Sequence, residues 1–259
     1  MVKIFLFILC FSLFLMGAYA QQNSPDSSAS YRKHNVLSEH RMVWETYRIP
    51  AMLFVYGFVA YHSDPLLDFD EDLKRAVWDN RPHMLTSVDN YLQFAPAFSV
   101  YALNLAGIRG AHNFVDRSSI YVLSNVILNT LVSTIKPLAR RERPNGDGYM
   151  SFPSGHTAEA FASAEFMRME YKGVSGWYGI AGYLMAGTTG FLRMYNDKHY
   201  FSDVLAGAGI GIAATDFSYW LYPKIKRLFI RKEEAKCLIL PFYSGNVVGL
   251  SMVYHFSRR

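Results

Sequence analysis

A chain of 259 residues with 26 Lys and Arg against 21 Asp and Glu carries a formal charge of +5, and is long enough for one domain with a sizeable core plus extensions. That modest excess suits an anionic small molecule or an anionic membrane surface, and with no Lys/Arg-rich arm it sets nucleic acid aside as a partner. Of its two cysteines, Cys10 lies in a segment expected to be removed, so Cys237 stands alone and no intrachain disulfide is expected.

Met1-Val2-Lys3 is a short basic start, Ile4 to Met16 an apolar run, and Ala18-Tyr19-Ala20 a small-x-small cleavage site. Residues 1–20 are therefore expected to be a secretory signal cut before Gln21, which places the protein in the periplasm or cell envelope. Residues 21–42 are polar and without apolar period, the pattern of a leader. The apolar run Ile49–Tyr61 falls short of the ~20 residues that cross a bilayer, and 66–85 suits an amphipathic surface helix.

Further helices are predicted over Tyr91–Ile108, Ser119–Ile135, Ser154–Tyr171, Trp177–Leu192 and His199–Tyr222, with Pro137 and Pro223 as stops. The expected fold is all-α, a bundle of about six main helices occupying residues 43–236. Residues 237–259 change character: Leu238–Tyr243 and Val247–Phe256 flank Ser244-Gly245-Asn246, which reads as a short β-hairpin. Mean hydropathy is +0.05 for the whole chain and falls below zero without the signal. Ser154–Tyr171 also carries Glu159, Glu165 and Arg168, so the reading favours a bundle resting on a membrane over one that spans it.

Three stretches concentrate the chemistry. Lys136 and Arg143 lie seven apart at a helix end, with Arg193 from a distant loop as a third cation. Three cations around one site neutralise a tetrahedral oxyanion. Ser154-Gly155-His156 stands where a helix begins, so unpaired backbone N–H groups and the positive dipole end face the same anion. His199 and Asp203, four apart, share a helical face. The carboxylate can hold one ring nitrogen as N–H and leave the other as nucleophile. His156 is then free to protonate the leaving oxygen. The scheme requires no metal or other cofactor.

In order, Lys136-x6-Arg143-Pro144, Pro153-Ser154-Gly155-His156 and Arg193-x5-His199-x3-Asp203 resemble the signature of the type 2 phosphatidic acid phosphatase and vanadium haloperoxidase superfamily. One position departs from it: Leu192 stands where that family commonly has Ser. The resemblance implies that Lys136, Arg143, Ser154, Gly155 and Arg193 bind phosphate. It makes His199 the nucleophile, Asp203 its orienting partner and His156 the general acid. The function it implies is phosphate release from an envelope lipid, such as lipid A, undecaprenyl pyrophosphate or a phosphatidic-acid-like lipid. A periplasmic acid phosphatase acting on small esters is the alternative. A haloperoxidase, with vanadate as cofactor in the phosphate cradle, is the least favoured. Outside the motifs, Arg140 and Arg141 read as a solvated face, and Glu159 and Glu165 as ion-pair partners of neighbours such as Arg168. Asn196 and Lys198 are possible substrate contacts. His34, His40, His62, His83, His112 and His255 have no metal-ligand spacing.

Overall fold

The computed structural model describes residues 44–79, 84–229, 237–244 and 247–254. The expected signal and leader lie outside them, as do His34, His40, His83 and His255. Eight α-helices stand among the described residues. They are α1 (Trp44–Tyr61), α2 (Asp64–Lys74, continued by a π-helical turn over Arg75–Asp79), α3 (Val88–Leu92) and α4 (Ala95–Leu105). After these come α5 (Phe114–Ala139), α6 (Gly155–Tyr171), α7 (Gly176–Tyr195) and α8 (Phe201–Phe229). The chain divides at Tyr222 into two compact units. In the second unit β1 (Cys237–Ser244) pairs antiparallel with β2 (Val247–Tyr254), in a register running from Ser244↔Val247 to Cys237↔Tyr254.

The architecture is the all-α bundle the spacing predicts, and the differences lie at helix ends. The helix expected over Tyr91–Ile108 is two pieces, α3 and α4, because Pro96 sits in the first turn of α4 and disfavours helical backbone just before it. Pro137 and Pro223 do not stop their helices: α5 continues to Ala139 and α8 to Phe229. A proline removes one backbone hydrogen bond and strains the turn before it, which ends a helix only where nothing else holds the chain. The actual stop of α5 is Arg140, in the left-handed region at φ 49°.

Small residues bring α8 against α6 at the end that carries the motifs. A Cβ on Gly207 would lie 2.4 Å from the Ser154 carbonyl oxygen, and one on Gly211 would lie 2.1 Å from that of Ala158. Only glycine permits so close an approach. Backbone pairing completes the contact, with Ser154 N–H donating to the Asp203 carbonyl at 3.0 Å.

The bundle buries many polar groups and leaves many large apolar ones exposed. Of the 17 residues of α6, 13 are buried, Glu159, Glu165 and Glu170 among them. Each acid has partners: Glu165 takes Arg168 Nε at 2.8 Å and the Tyr183 hydroxyl, and Glu170 takes the Tyr219 hydroxyl at 2.8 Å. Glu159 pairs with no cation, contrary to the expectation for it; it accepts the Tyr121 hydroxyl at 2.6 Å. Outward, α5 exposes Val115, Val122, Val126, Leu131 and Leu138, and α7 exposes Trp177, Ile180, Leu184 and Phe191. α5 and α8 are long and apolar enough to cross a membrane. An apolar exterior of this extent around an ion-paired interior is the polarity of a membrane-associated bundle.

Candidate active site

The three motif stretches converge where α5 ends, α6 begins and α8 begins. Ser154 caps α6, its hydroxyl 2.8 Å from Thr157 Oγ1 and 3.4 Å from the Thr157 N–H it accepts. The free N–H groups of this helix end therefore face outward beside Gly155. A Cβ on Gly155 would meet only Val132 Cγ1 at 3.6 Å, so no protein atom requires glycine there. Lys136, in the last turn of α5, donates Nζ to the Met150 carbonyl at 2.5 Å. Arg143 follows on the loop and pairs with Asp147 at 3.6 Å. Arg193 does not arrive on a loop: it is in the last turn of α7, buried, with Nη1 2.5 Å from Asp89 Oδ2.

His199 and Asp203 do not share a helical face. α7 gives way at Asn196 and Asp197, the latter left-handed at φ 53°, and α8 starts only at Phe201. His199 thus belongs to the connecting turn and Asp203 to the first turn of α8. The carboxylate still faces the imidazole, with Oδ2 3.8 Å from His199 Nδ1. That is ion-pair range but beyond a hydrogen bond, and Nδ1 has no other hydrogen-bond partner. Asp203 Oδ2 instead accepts the Ser151 hydroxyl at 2.5 Å and the Tyr200 N–H at 2.9 Å.

The residue that sequence reasoning missed is Arg141. It is buried rather than solvated, because the left-handed Arg140 turns the chain back into the bundle. Its Nη1 donates to Asp203 Oδ1 at 2.7 Å and to Ser202 Oγ at 2.6 Å, and its Nη2 donates to Asp70 Oδ2 at 2.7 Å. Its guanidinium lies over the rings of Tyr200 and Tyr61, at 4.3 and 5.4 Å. Asn196 is structural, exchanging both amide hydrogen bonds with the Thr86 backbone at 2.8 and 3.0 Å. Lys198 pairs with Asp147 at 3.2 Å. His112 is tied to Glu170 at 2.7 Å, and His62 to the Phe58 carbonyl at 2.9 Å.

Both motif histidines are neutral imidazoles at pH 7. Burial, then the nearby Arg193 and Lys136, hold His199 down at about 4 against the pull of Asp203. His156 is likewise lowered to about 4, first by burial and then by Arg193, with Lys136 and Arg143 adding to it and Asp89 opposing. The two rings therefore feel the same group of cations. Among the described residues, no group of three or more His, Cys, Asp and Glu side chains is arranged to hold a metal ion.

Two neutral imidazoles with cations near a helix N-terminus in a helical bundle form an arrangement that can chemically hold an oxyanion beside a ring nitrogen. The sequence identifies the family: residues 3–227 match the PAP2 superfamily, and the chain belongs to it. It is similar to a lipid A 1-phosphatase of Porphyromonas gingivalis, 32% identical over 174 residues, covering 64% of this chain and 39% of that protein. It is also similar to a lipid A 4'-phosphatase of Bacteroides thetaiotaomicron, 32% identical over 110 residues, 39% of this chain and 46% of that one. The matched region is thus less than half the length of each of these relatives. Among solved structures, a transmembrane PAP2-type phosphatidylglycerolphosphate phosphatase from Bacillus subtilis aligns at a TM-score of 0.47 and 23% identity, covering 72% of this chain and 99% of that one. LpxE of Aquifex aeolicus aligns at 0.44 and 24%, covering 57% and 92%.

Proposed function

We propose that this protein is a phosphatase that hydrolyses a phosphate ester of an envelope lipid through a phosphohistidine intermediate. The observation that carries the reading is the convergence of the motif stretches, with Ser154 N–H on the Asp203 carbonyl at 3.0 Å, Asp203 3.8 Å from His199, and Arg193 and Lys136 near both His199 and His156. A substrate phosphoryl group lies between the three cations and the N-terminus of α6, where Gly155 presents its backbone N–H and Ser154 caps the helix. The neutral His199 attacks phosphorus with Nε2, because Nδ1 is the nitrogen nearest Asp203. As the P–N bond forms, the bond to the lipid oxygen breaks, and His156, neutral in the empty site but carrying a proton once the anionic phosphate is bound beside it, gives that oxygen its proton. Water then attacks the phosphohistidine. His156 takes the water proton, the P–N bond breaks, and inorganic phosphate leaves with His199 restored. The cations carry the equatorial charge in both steps.

Asp203 orients His199 and steadies the imidazolium that phosphoryl transfer creates. Three donors hold its carboxylate, the Arg141 guanidinium, the Ser151 hydroxyl and the Tyr200 N–H.

A lipid is favoured over a small phosphomonoester by the apolar residues exposed on α5 and α7, and by the lipid phosphates that the relatives' names specify. The phosphate of lipid A is the first candidate. The deciding experiment compares phosphate release by the purified full chain from lipid A, phosphatidic acid, undecaprenyl pyrophosphate and p-nitrophenyl phosphate in detergent. Lipid phosphates are expected to exceed p-nitrophenyl phosphate in kcat/KM by about 100-fold. Equal or better turnover of the small ester moves the reading to a non-specific acid phosphatase. An acid-labile phosphoryl adduct on His199 is expected in rapid-quench samples, and its absence removes the covalent route.

A further inference from the structure

Two side chains on α3, outside the three motif stretches, touch the site. Asp89 is 1% exposed and places Oδ2 2.5 Å from Arg193 Nη1. Its other oxygen, Oδ1, is buried with no hydrogen-bond partner. The next residue, Asn90, is exposed at the surface and lies with Oδ1 2.9 Å from His156 Nε2. The segment is held in place. Asn196, the residue that ends α7, exchanges hydrogen bonds with the Thr86 backbone at 2.8 and 3.0 Å, and Gln93 Nε2 donates to the Asn90 carbonyl at 2.8 Å.

Both contacts meet groups the reaction needs. A buried carboxylate opposite Arg193 is an anion fixed inside a site that must receive another anion, so it lowers that site's affinity for phosphate. It also pairs a buried guanidinium that would otherwise stand uncompensated while the site is empty. The amide of Asn90 accepts from Nε2–H of His156, which fixes the ring plane and selects one tautomer, leaving Nδ1 to exchange the proton.

We propose that Asp89 and Asn90 are positioning residues of this active site: Asn90 fixes the His156 ring, and Asp89 is the resident counter-ion of Arg193 that tempers phosphate affinity. This rests on the phosphatase reading above and names the residues that tune it. The charged groups facing His156 are Arg193 from α7, Asp89 from α3, Lys136 from α5 and Arg143 from the loop after α5.

The test uses the full chain in detergent and two readouts. The first is inorganic phosphate binding by calorimetry. Asp89→Asn keeps the shape and removes the charge, and is expected to tighten phosphate binding by roughly tenfold. Weaker or unchanged binding overturns the counter-ion role. The second is the pH profile of kcat on a lipid phosphate. Asn90→Ala is expected to lower kcat by about tenfold with KM nearly constant. Asn90→Asp, which sets a carboxylate against the ring, is expected to move the limb governed by His156 up by about one pH unit. Loss of kcat with that limb unmoved in Asn90→Asp reduces Asn90 to a packing role and overturns its part. Should Asp89→Asn fail to fold, the exposed Asn90 pair decides alone. Wild-type protein that binds phosphate yet releases none from any lipid overturns the phosphatase reading. The Asp89 arm, which measures binding alone, is unaffected by that outcome.

Discussion

Replacing Arg141 by Met keeps most of the aliphatic volume and removes one buried charge from beneath the site. The guanidinium is the cation shared by Asp70 and Asp203, 2% and 0% exposed, which Ser202 links by accepting from Arg141 at 2.6 Å and donating its backbone N–H to Asp70 at 3.1 Å. Without it, the buried carboxylates of Asp70 and Asp203 both lose the cation that pairs them. Breaking a buried pair in this way costs about 3–5 kcal/mol, mostly as uncompensated charge rather than lost attraction. The carboxylate that orients His199 loses its strongest donor as well, so kcat is expected to fall about 100-fold. Chemical unfolding in detergent measures the first effect and steady-state turnover of a lipid phosphate the second. Arg141→Lys, which restores charge without the planar fork, is expected to recover part of the stability and little of the turnover. An Arg141→Met protein within about 1 kcal/mol of wild type in stability and threefold in kcat would refute the reasoning.

His199→Ala is expected to abolish turnover and the phosphoryl adduct while inorganic phosphate still binds, as calorimetry would read. Stability should also depend on pH through His199. Its pKa in the folded state, about 4, lies below the ordinary value of 6.5, so the folded protein binds fewer protons. Its contribution is then fully present above pH 6.5 and is lost as pH falls through about 4. The total is about 3 kcal/mol, so unfolding midpoints at pH 7 and pH 4 should differ less in His199→Phe than in wild type. Gly211→Ala sets a methyl group 2.1 Å from the Ala158 carbonyl oxygen. It is expected to destabilise by about 1–3 kcal/mol and to raise KM for the lipid, since the α6 start moves with it; unchanged thermal unfolding and KM would count against this packing.

The motif residues were legible in the sequence because they are local chemistry: a helix cap at Ser154, a basic last turn at Lys136, and a histidine and an aspartate four apart. What escaped depended on distant pairing. Arg141 reads as solvated because its partner Asp70 lies 71 residues earlier, and Asp89 carries no signal until Arg193, 104 residues later, folds against it. His199 reads as the first residue of a helix, four before Asp203, whereas α8 begins only at Phe201, after the turn at left-handed Asp197. The proline stops at Pro137 and Pro223 failed because a local rule met helices held by their neighbours. Averaged hydropathy does not report where residues sit: the acids of α6 are buried, and Val115, Val122, Val126, Leu131 and Leu138 of α5 are exposed.

The inward-facing acids of α6 bear on the order of assembly. On its own, that helix offers Glu165 only Arg168, and the hydroxyls of Tyr183 and Tyr219 that complete the burial of Glu165 and Glu170 are synthesised later, on α7 and α8. It becomes comfortable only once α7 and α8 have arrived to meet those acids. The start of α6 is one end of the same rod, so on the proposed phosphatase reading catalytic competence is expected only once α7 and α8 have packed against it.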